Sequence, residues 1–350
     1  MDVRERTLAV LRGEKPDKLP WLAYSFLMPP VGSAERMLRN MGLGLVLRLR
    51  VWREEMPNVI VEERTIGNIC ERIYITPLGK VSTRLRTGLR SFAGGVWAIE
   101  PLVKDLRDYE VVEFMIKDTV YSPDYEAFME AERNLGGDGL AYVRVEPSPF
   151  QKLMKDLMGY RNLALGIYRY RRELEALMEV IARKQDELYH IVAESPAEVV
   201  LLPENTNSVF TSPELFERYC LPYYKRRTDM LRAKGKIVMA HMDGKLRVLK
   251  DLIAKTGFTA VEAFTPPPMG DLSLEEAWAT WGDDFPIWVN FPGSVCLLGL
   301  EKLREYAIML VKQGVAHGRM ILSVTEDLPP PLVGNLKTIT EVVNAYGALL

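Results

Sequence analysis

Short apolar segments that each carry an ionisable or amide side chain at or close to their end recur along the C-terminal two-thirds of this chain, and they constrain its fold more than anything else. The segments are 140–146 (LAYVRVE), 198–204 (EVVLLPE), 236–241 (KIVMAH), 259–264 (TAVEAF), 286–291 (PIWVNF) and 319–324 (RMILSV). They are rich in Val, Ile, Leu and aromatics, with no two-residue alternation, as strands buried on both faces are. Helical patterns lie between them at 212–234, 246–255 and 274–281, the first opened by Ser212, Pro213 and Glu214. Strands that alternate with helices imply right-handed crossovers and a parallel sheet. A chain of 350 residues exceeds most single domains, whereas an α/β barrel runs to about 250 residues before insertions. An earlier run, 19–27 (LPWLAYSFL), predicts the first strand, entered from an N-terminal amphipathic helix; that makes seven strands, and no eighth stands out.

Residues 57–100 differ in character. β-branched and charged residues alternate there around turn signals at Gly67-Asn68, Thr76-Pro77-Leu78-Gly79 and Gly94-Gly95, a pattern of β-hairpins. Residues 101–135 return to helix and loop. With no repeat, low-complexity stretch or long linker, the expected architecture is one α/β domain over 1–350. It is a (β/α)8 TIM-type barrel with a β-hairpin insertion near 57–100, in the N-terminal third.

Composition removes several classes of function. A net charge of −2 provides no basic stripe for phosphates, so no nucleic-acid partner is expected. No apolar run reaches the roughly 18 residues of a membrane helix. The N-terminus lacks a signal-peptide core, and the three cysteines, Cys70, Cys220 and Cys296, are too scattered for a disulfide framework. The expected compartment is the cytoplasm.

In a barrel, the strand ends converge on one mouth, where active sites are built. Here they bring Glu146, Glu204 with Asn205, His241 with Asp243, Glu262, Asn290, and Glu326 with Asp327. Buried carboxylates cost several kcal/mol unless paired or metal-bound, so such a ring points to chemistry. His241 heads an H-x-D-G motif directly after an apolar strand. A lone histidine is more often a core residue bonded to backbone, but His and Asp two apart at a strand end can aim at one ion. His190, within a helical pattern, and His317, beside glycine, fit structural or solvated roles. Cys220 fits a buried hydrophobe, and Cys70 and Cys296 have no neighbouring histidine. Proline-rich loops at 265–271 and 329–331 stiffen the mouth or simply turn the chain. Trp21, Tyr24, Phe26 and Phe291 line an apolar slot or pack the core. No phosphate-binding glycine fingerprint, kinase motif or Gly-x-Ser-x-Gly elbow is present.

The segments RERTLAVLRGEKPDKLPW, SPELFERYCLPYYKR, KIVMAHMDG, AVEAFTPPPMGDLSLEEAWATWGDD and TEDLPPPLVGNL together resemble the uroporphyrinogen decarboxylase superfamily, over nearly the whole chain. That superfamily includes corrinoid-dependent methyltransferases on (β/α)8 barrels. Its decarboxylases carry R-Q-A-G-R after the first strand and a His-Gly pair near the C-terminus; here those places read AYSFLMPP and VTEDLPPP. The methyltransferase branch holds zinc with H-x-C and a distant Cys, followed by a proline-rich loop and Asn-Leu. This chain keeps His241 and Asn335-Leu336 but carries Asp243 and Glu326 at the cysteine positions.

The resemblance therefore implies an oxygen-rich metal site of His241, Asp243 and Glu326, holding zinc or another divalent ion, with Glu204 as a candidate fourth ligand. Such a site is a stronger Lewis acid than a thiolate site and suits an ether oxygen. It implies an O-demethylating methyltransferase that moves a methyl group from a methoxylated aromatic, the small-molecule methyl donor, to the cob(I)alamin of a partner corrinoid protein. Glu262 and Glu204 are the candidate catalytic carboxylates, with Glu262 as a proton donor. Asn205, Asn290, Tyr24 and Phe291 are candidates to hold the substrate, and a homodimer is a candidate assembly. The alternatives are transfer from a methylcobamide to a thiol or tetrahydrofolate, then uroporphyrinogen decarboxylation, then a non-catalytic corrinoid- or tetrapyrrole-binding protein.

Overall fold

A computed structural model of the chain describes residues 1–89 and 95–349. The chain divides into two compact units, one formed by 1–50, 126–145 and 196–350, the other by 51–125 and 146–195.

The first unit is a closed barrel of eight parallel strands in chain order. They are β1 Trp21–Tyr24, β2 Gly44–Leu49, β3 Gly139–Arg144, β4 Val199–Leu202, β5 Ile237–His241, β6 Ala260–Phe264, β7 Ile287–Asn290 and β8 Met320–Val324. The ring closes where β1 pairs with β8 at Trp21↔Leu322 and with β2 at Leu22↔Gly44. The TIM-type barrel is thus the observed fold, and all seven anticipated apolar runs carry strands. The eighth is β2 (GLVLRL). Its burial alternates along its first half and is only intermediate beyond it, so it lacks the unbroken apolar character of β4 to β8, where every residue is buried. Gly139 opens β3 because any side chain there would collide with the Leu45 carbonyl, 1.9 Å from where a Cβ would stand.

Helices wrap the barrel with start signals readable in sequence. Val3–Leu11 opens on a capping box between Asp2 and Glu5, and Leu274–Trp281 on another between Ser273 and Glu276. Ser212 caps the next expected helix, which continues through Phe216–Cys220 into Leu221–Arg232. The segment expected at 246–255 forms only two single-turn helices, Arg247–Leu249 and Lys250–Ile253. Helices Leu300–His317 and Leu332–Tyr346 complete the layer. Core side chains such as Leu201, Val238, Val261, Val289 and Leu322 are fully buried, each stabilising the barrel by about 1.5–3 kcal/mol over its exposed state.

The second unit contains the hairpins. Strands Ile60–Ile66, Ile69–Thr76, Gly79–Arg86 and Trp97–Glu100 form an antiparallel sheet in that order. Its first two turns fall at Gly67-Asn68 and Pro77-Leu78, as the sequence signals. Gly94 of the third signal lies outside the described residues. A separate antiparallel pair joins Trp52–Glu55 to Val120–Pro123, and helices Arg107–Asp118 and Arg171–Glu194 belong to the same unit. Among the described residues, no helix is long and apolar enough to cross a membrane. All three cysteines are buried and unbridged.

Candidate active site

The barrel register places the chemistry. His241 is the last residue of β5 and pairs directly with Glu262 of β6, while Tyr24 is the last residue of β1. The Glu262 carboxylate is fully buried. One oxygen accepts a 2.5 Å hydrogen bond from the Tyr24 hydroxyl, and the other lies 2.6 Å from His241 Nδ1. The Tyr24 hydroxyl is also 3.4 Å from that nitrogen. The second ring nitrogen, Nε2, is 3.5 Å from Asp243. Side-chain exposure rises along this line, from 0% at Glu262 through 10% at His241 to 39% at Asp243.

Electrostatics fix the protonation of the group. Burial works against a charged imidazole, but the Glu262 charge, the hydrogen bonds to Asp243 and Glu262, and the Asp243 charge outweigh it and push His241 up to about 9. At neutral pH the ring is therefore an imidazolium, with Nδ1 donating to Glu262. Burial first, and then the Glu262 charge, hold the Tyr24 hydroxyl protonated well beyond its ordinary range, so it remains a donor.

The backbone around Glu262 is distorted. The β6–β7 register shifts between Val261 and Phe264, and Ala263 sits at φ 59. A left-handed alanine costs about 1–2 kcal/mol. Irregular strand positions of this kind re-aim side chains beside active sites.

Two neighbours of this group had no counterpart among the sequence candidates. Arg48 on β2 sets its guanidinium 4.2 Å from the Tyr24 ring centre and 4.3 Å from that of Phe26. Tyr142 on β3 pairs with Arg48 in register; burial and the Glu262 charge also raise its hydroxyl. Recognising 44–49 as a strand would have brought out Arg48, which then stands near a strand end.

The other candidates fall into separate groups. Asn290 donates to Glu326 Oε1 at 2.9 Å and to Thr265 Oγ1 at 3.2 Å, and accepts from the Thr325 amide at 3.0 Å. Gly293 N–H donates to the same Glu326 oxygen at 2.9 Å. The pair thus clasps the loops after β6, β7 and β8. Glu204, fully buried, accepts a 2.6 Å hydrogen bond from Tyr224. Asn205 is exposed at φ 50, a backbone region asparagine tolerates better than most residues. Phe291 is buried edge-on to Tyr306, with centroids 5.6 Å apart, and so serves packing. Trp21 is likewise buried, bonded to Thr340 at 2.9 Å. His317 stacks on Trp278 and His190 is exposed. Glu146 belongs to the second unit, where Lys152 lies 3.1 Å away.

The anticipated metal set is not assembled. His241 commits Nδ1 to Glu262, Asp243 stands 3.5 Å from Nε2, and Glu326 is held by Asn290 and Gly293. Among the described residues, no group of three or more His, Cys, Asp or Glu side chains is arranged to hold a metal ion, whereas catalytic zinc takes three protein ligands. As placed, these residues do not fit a resident metal.

Comparison with known proteins places this geometry. The fold superimposes on a methyltransferase from Methanosarcina mazei with a TM-score of 0.60 at 12% identity, covering 99% of each chain, which is a likeness of fold. A structure of the tandem GH20 catalytic modules of the pneumococcal exo-beta-D-N-acetylglucosaminidase covers 93% of this chain and 85% of its own at 10% identity; its TM-score of 0.38 carries no argument. No curated protein matches the sequence. The family model described as uroporphyrinogen decarboxylase (URO-D) matches residues 123–346, a stretch that contains β3 to β8 and with them Glu204, His241, Asp243, Glu262, Asn290 and Glu326. With most of its barrel and all but one member of its buried acid–histidine group inside that match, the chain belongs to the uroporphyrinogen decarboxylase (URO-D) family.

Proposed function

We propose that this protein is a methyltransferase that removes the methyl group of a methoxylated aromatic and passes it to cob(I)alamin carried by a partner corrinoid protein. Family membership and the fold shared with a methyltransferase support the class of reaction. The observation that carries the reading further is the His241–Glu262 pair, which keeps a proton on a buried imidazole at neutral pH, with Nε2 turned toward the more exposed Asp243.

Cleaving an aryl methyl ether leaves both bonding electrons on the oxygen, and a phenolate is a far better leaving group when a proton reaches it in the transition state. His241 Nε2–H is the donor. Glu262 stabilises the imidazolium before transfer and holds the ring in the orientation that directs Nε2 outward. Tyr24 fixes Glu262 by occupying its other oxygen. Asp243, more exposed and next to Nε2, returns a proton from solvent for the next turnover. The corrinoid, as second substrate, supplies the nucleophile that accepts the methyl group. Asn290 and Glu326 act by fixing the loops at the barrel mouth.

The test is anaerobic incubation of the protein with cob(I)alamin and a panel of methoxylated aromatics, followed by absorbance. Methylcobalamin and the matching phenol should appear in equal amounts. Inert methoxyarenes alongside methylation of a thiol or tetrahydrofolate from methylcobalamin would overturn this direction of transfer. Loss of CO₂ from uroporphyrinogen would assign the family's decarboxylase activity instead.

A further inference from the structure

On the buried face of helix Arg171–Glu194, Leu174, Leu177, Ile181, Gln185 and Leu188 follow one another at helical spacing. One of the five is polar. Gln185 is buried, and a buried amide is costly unless its hydrogen bonds are made. It donates to the Pro147 carbonyl at 2.8 Å and to Glu146 Oε2 at 3.3 Å. Lys152, the last residue of helix Pro149–Lys152, stands 3.1 Å from the same oxygen. A core position of the long helix is thus given over to holding one carboxylate.

These groups stand in the wall of a cavity of about 210 Å³ in the second unit, and no residue of that wall belongs to the barrel unit. Much of the rest is apolar, with Leu102, Val112, Met115 and Ile181 buried. The Glu146 and Lys152 side chains are only 13% and 20% exposed. An ion pair so far withdrawn from water is favourable only when its remaining lone pairs and protons are met as well. Here they are not. Both contacts to Glu146 fall on Oε2, Oε1 has no protein partner among the described residues, and Lys152 offers three protons to one oxygen. The cavity's other lysine, Lys184, is held by Glu187 at 3.0 Å, and its other acids, Glu54 and Glu55, are exposed.

A ligand that completes the pair must bring a positive charge to Glu146 Oε1, a negative charge to Lys152, and an apolar body. An α-amino acid carries both charges on one carbon, so that with the Lys152–Glu146 pair they make an alternating group of four. The cavity is smaller than the roughly 300–1,000 Å³ that drug-sized ligands occupy, which suits a molecule of that size. We propose that this cavity binds a free α-amino acid with an apolar side chain, its ammonium on Glu146, its carboxylate on Lys152 and its side chain against Leu102, Val112, Met115 and Ile181. A plain carboxylate or amine leaves one charge of the pair unmet, so selection comes from the missing partner as much as from the one made. The site lies in the second unit alone and is independent of the methyl-transfer reading.

Isothermal titration calorimetry of the full chain with L-leucine, in the absence of corrinoid and methyl donor, tests this. Leucine should bind with a Kd of about 0.01–1 mM. Isocaproate lacks the ammonium, isoamylamine lacks the carboxylate and L-serine lacks the apolar side chain; each should bind at least about tenfold more weakly. Glu146→Gln and Lys152→Met should each weaken leucine binding by about tenfold to a hundredfold. The comparison of ligands uses the unaltered protein, so it decides the matter even where a variant folds poorly. No binding of leucine up to about 10 mM overturns the proposal. So does equal affinity for any of the three analogues, or undiminished binding of leucine to either folded variant.

Discussion

At His241, burial and charge pull in opposite directions, and the Glu262 carboxylate decides the outcome. The folded value of about 9 lies above the unfolded reference of about 6.5. The native state therefore holds a proton that the unfolded chain releases between those two values. The resulting stabilisation, of order 3 kcal/mol, is fully present below about pH 6.5 and is lost as pH rises through about 9. Thermal unfolding followed from pH 6 to 10 should show Tm falling over that interval, and His241→Gln should flatten the fall. Glu262→Gln removes the charge that overcomes burial and leaves an imidazole that is neutral at pH 7. Methyl-transfer turnover should then drop by about 10²–10⁴, the usual contribution of a positioned proton donor. Tyr24→Phe deprives a buried carboxylate oxygen of its donor and should cost about 1–3 kcal/mol in denaturant unfolding.

At the scale of elements, β6 carries both the key carboxylate and the backbone distortion beside it. Ala263→Gly relieves a left-handed penalty of about 1 kcal/mol while losing one buried methyl worth about 0.8 kcal/mol, so stability should stay within about 1 kcal/mol of wild type. Ala263→Val cannot take that backbone conformation and crowds a fully buried position; it should cost roughly 2–4 kcal/mol in the same unfolding measurement. Most strands were legible because residues buried on both faces must be apolar throughout, and the runs ending at His241 and Asn290 display that directly. Strand β2 was not, because its apolar stretch Leu45-Val46-Leu47 is short, broken by Arg48 and only partly buried. That omission hid Arg48; Tyr142 lies on an anticipated strand, but its register against Arg48 could not be drawn without β2.

At the scale of the whole molecule, barrel topology determines what sequence alone can say about a site. Strand order and direction set His241 beside Glu262, because β5 and β6 are adjacent and paired in register, and place Tyr24 at the carboxyl end of β1 on the same mouth of the barrel. They do not determine which strand-end acids share a partner. Glu204 turns to Tyr224 and Glu326 to Asn290, each choice set by a side chain far away in sequence. The expected metal set failed on that point: spacing placed Asp243 near His241, but hydrogen bonds across β7 and β8 claimed Glu326. Phe291, packed on Tyr306, and Asn205, in a left-handed backbone, likewise stand at strand ends, where position alone does not separate packing from substrate contact.

The pH dependence of methyl transfer to cob(I)alamin from an active methoxylated aromatic, measured for wild type and Glu262→Gln, tests the central claim most directly. The account predicts a wild-type rate that is level through neutral pH and falls above about 9, and a variant whose falling limb moves below neutrality with a lower plateau. A wild-type profile that does not change across pH 9, or a variant with the same profile as wild type, would contradict it.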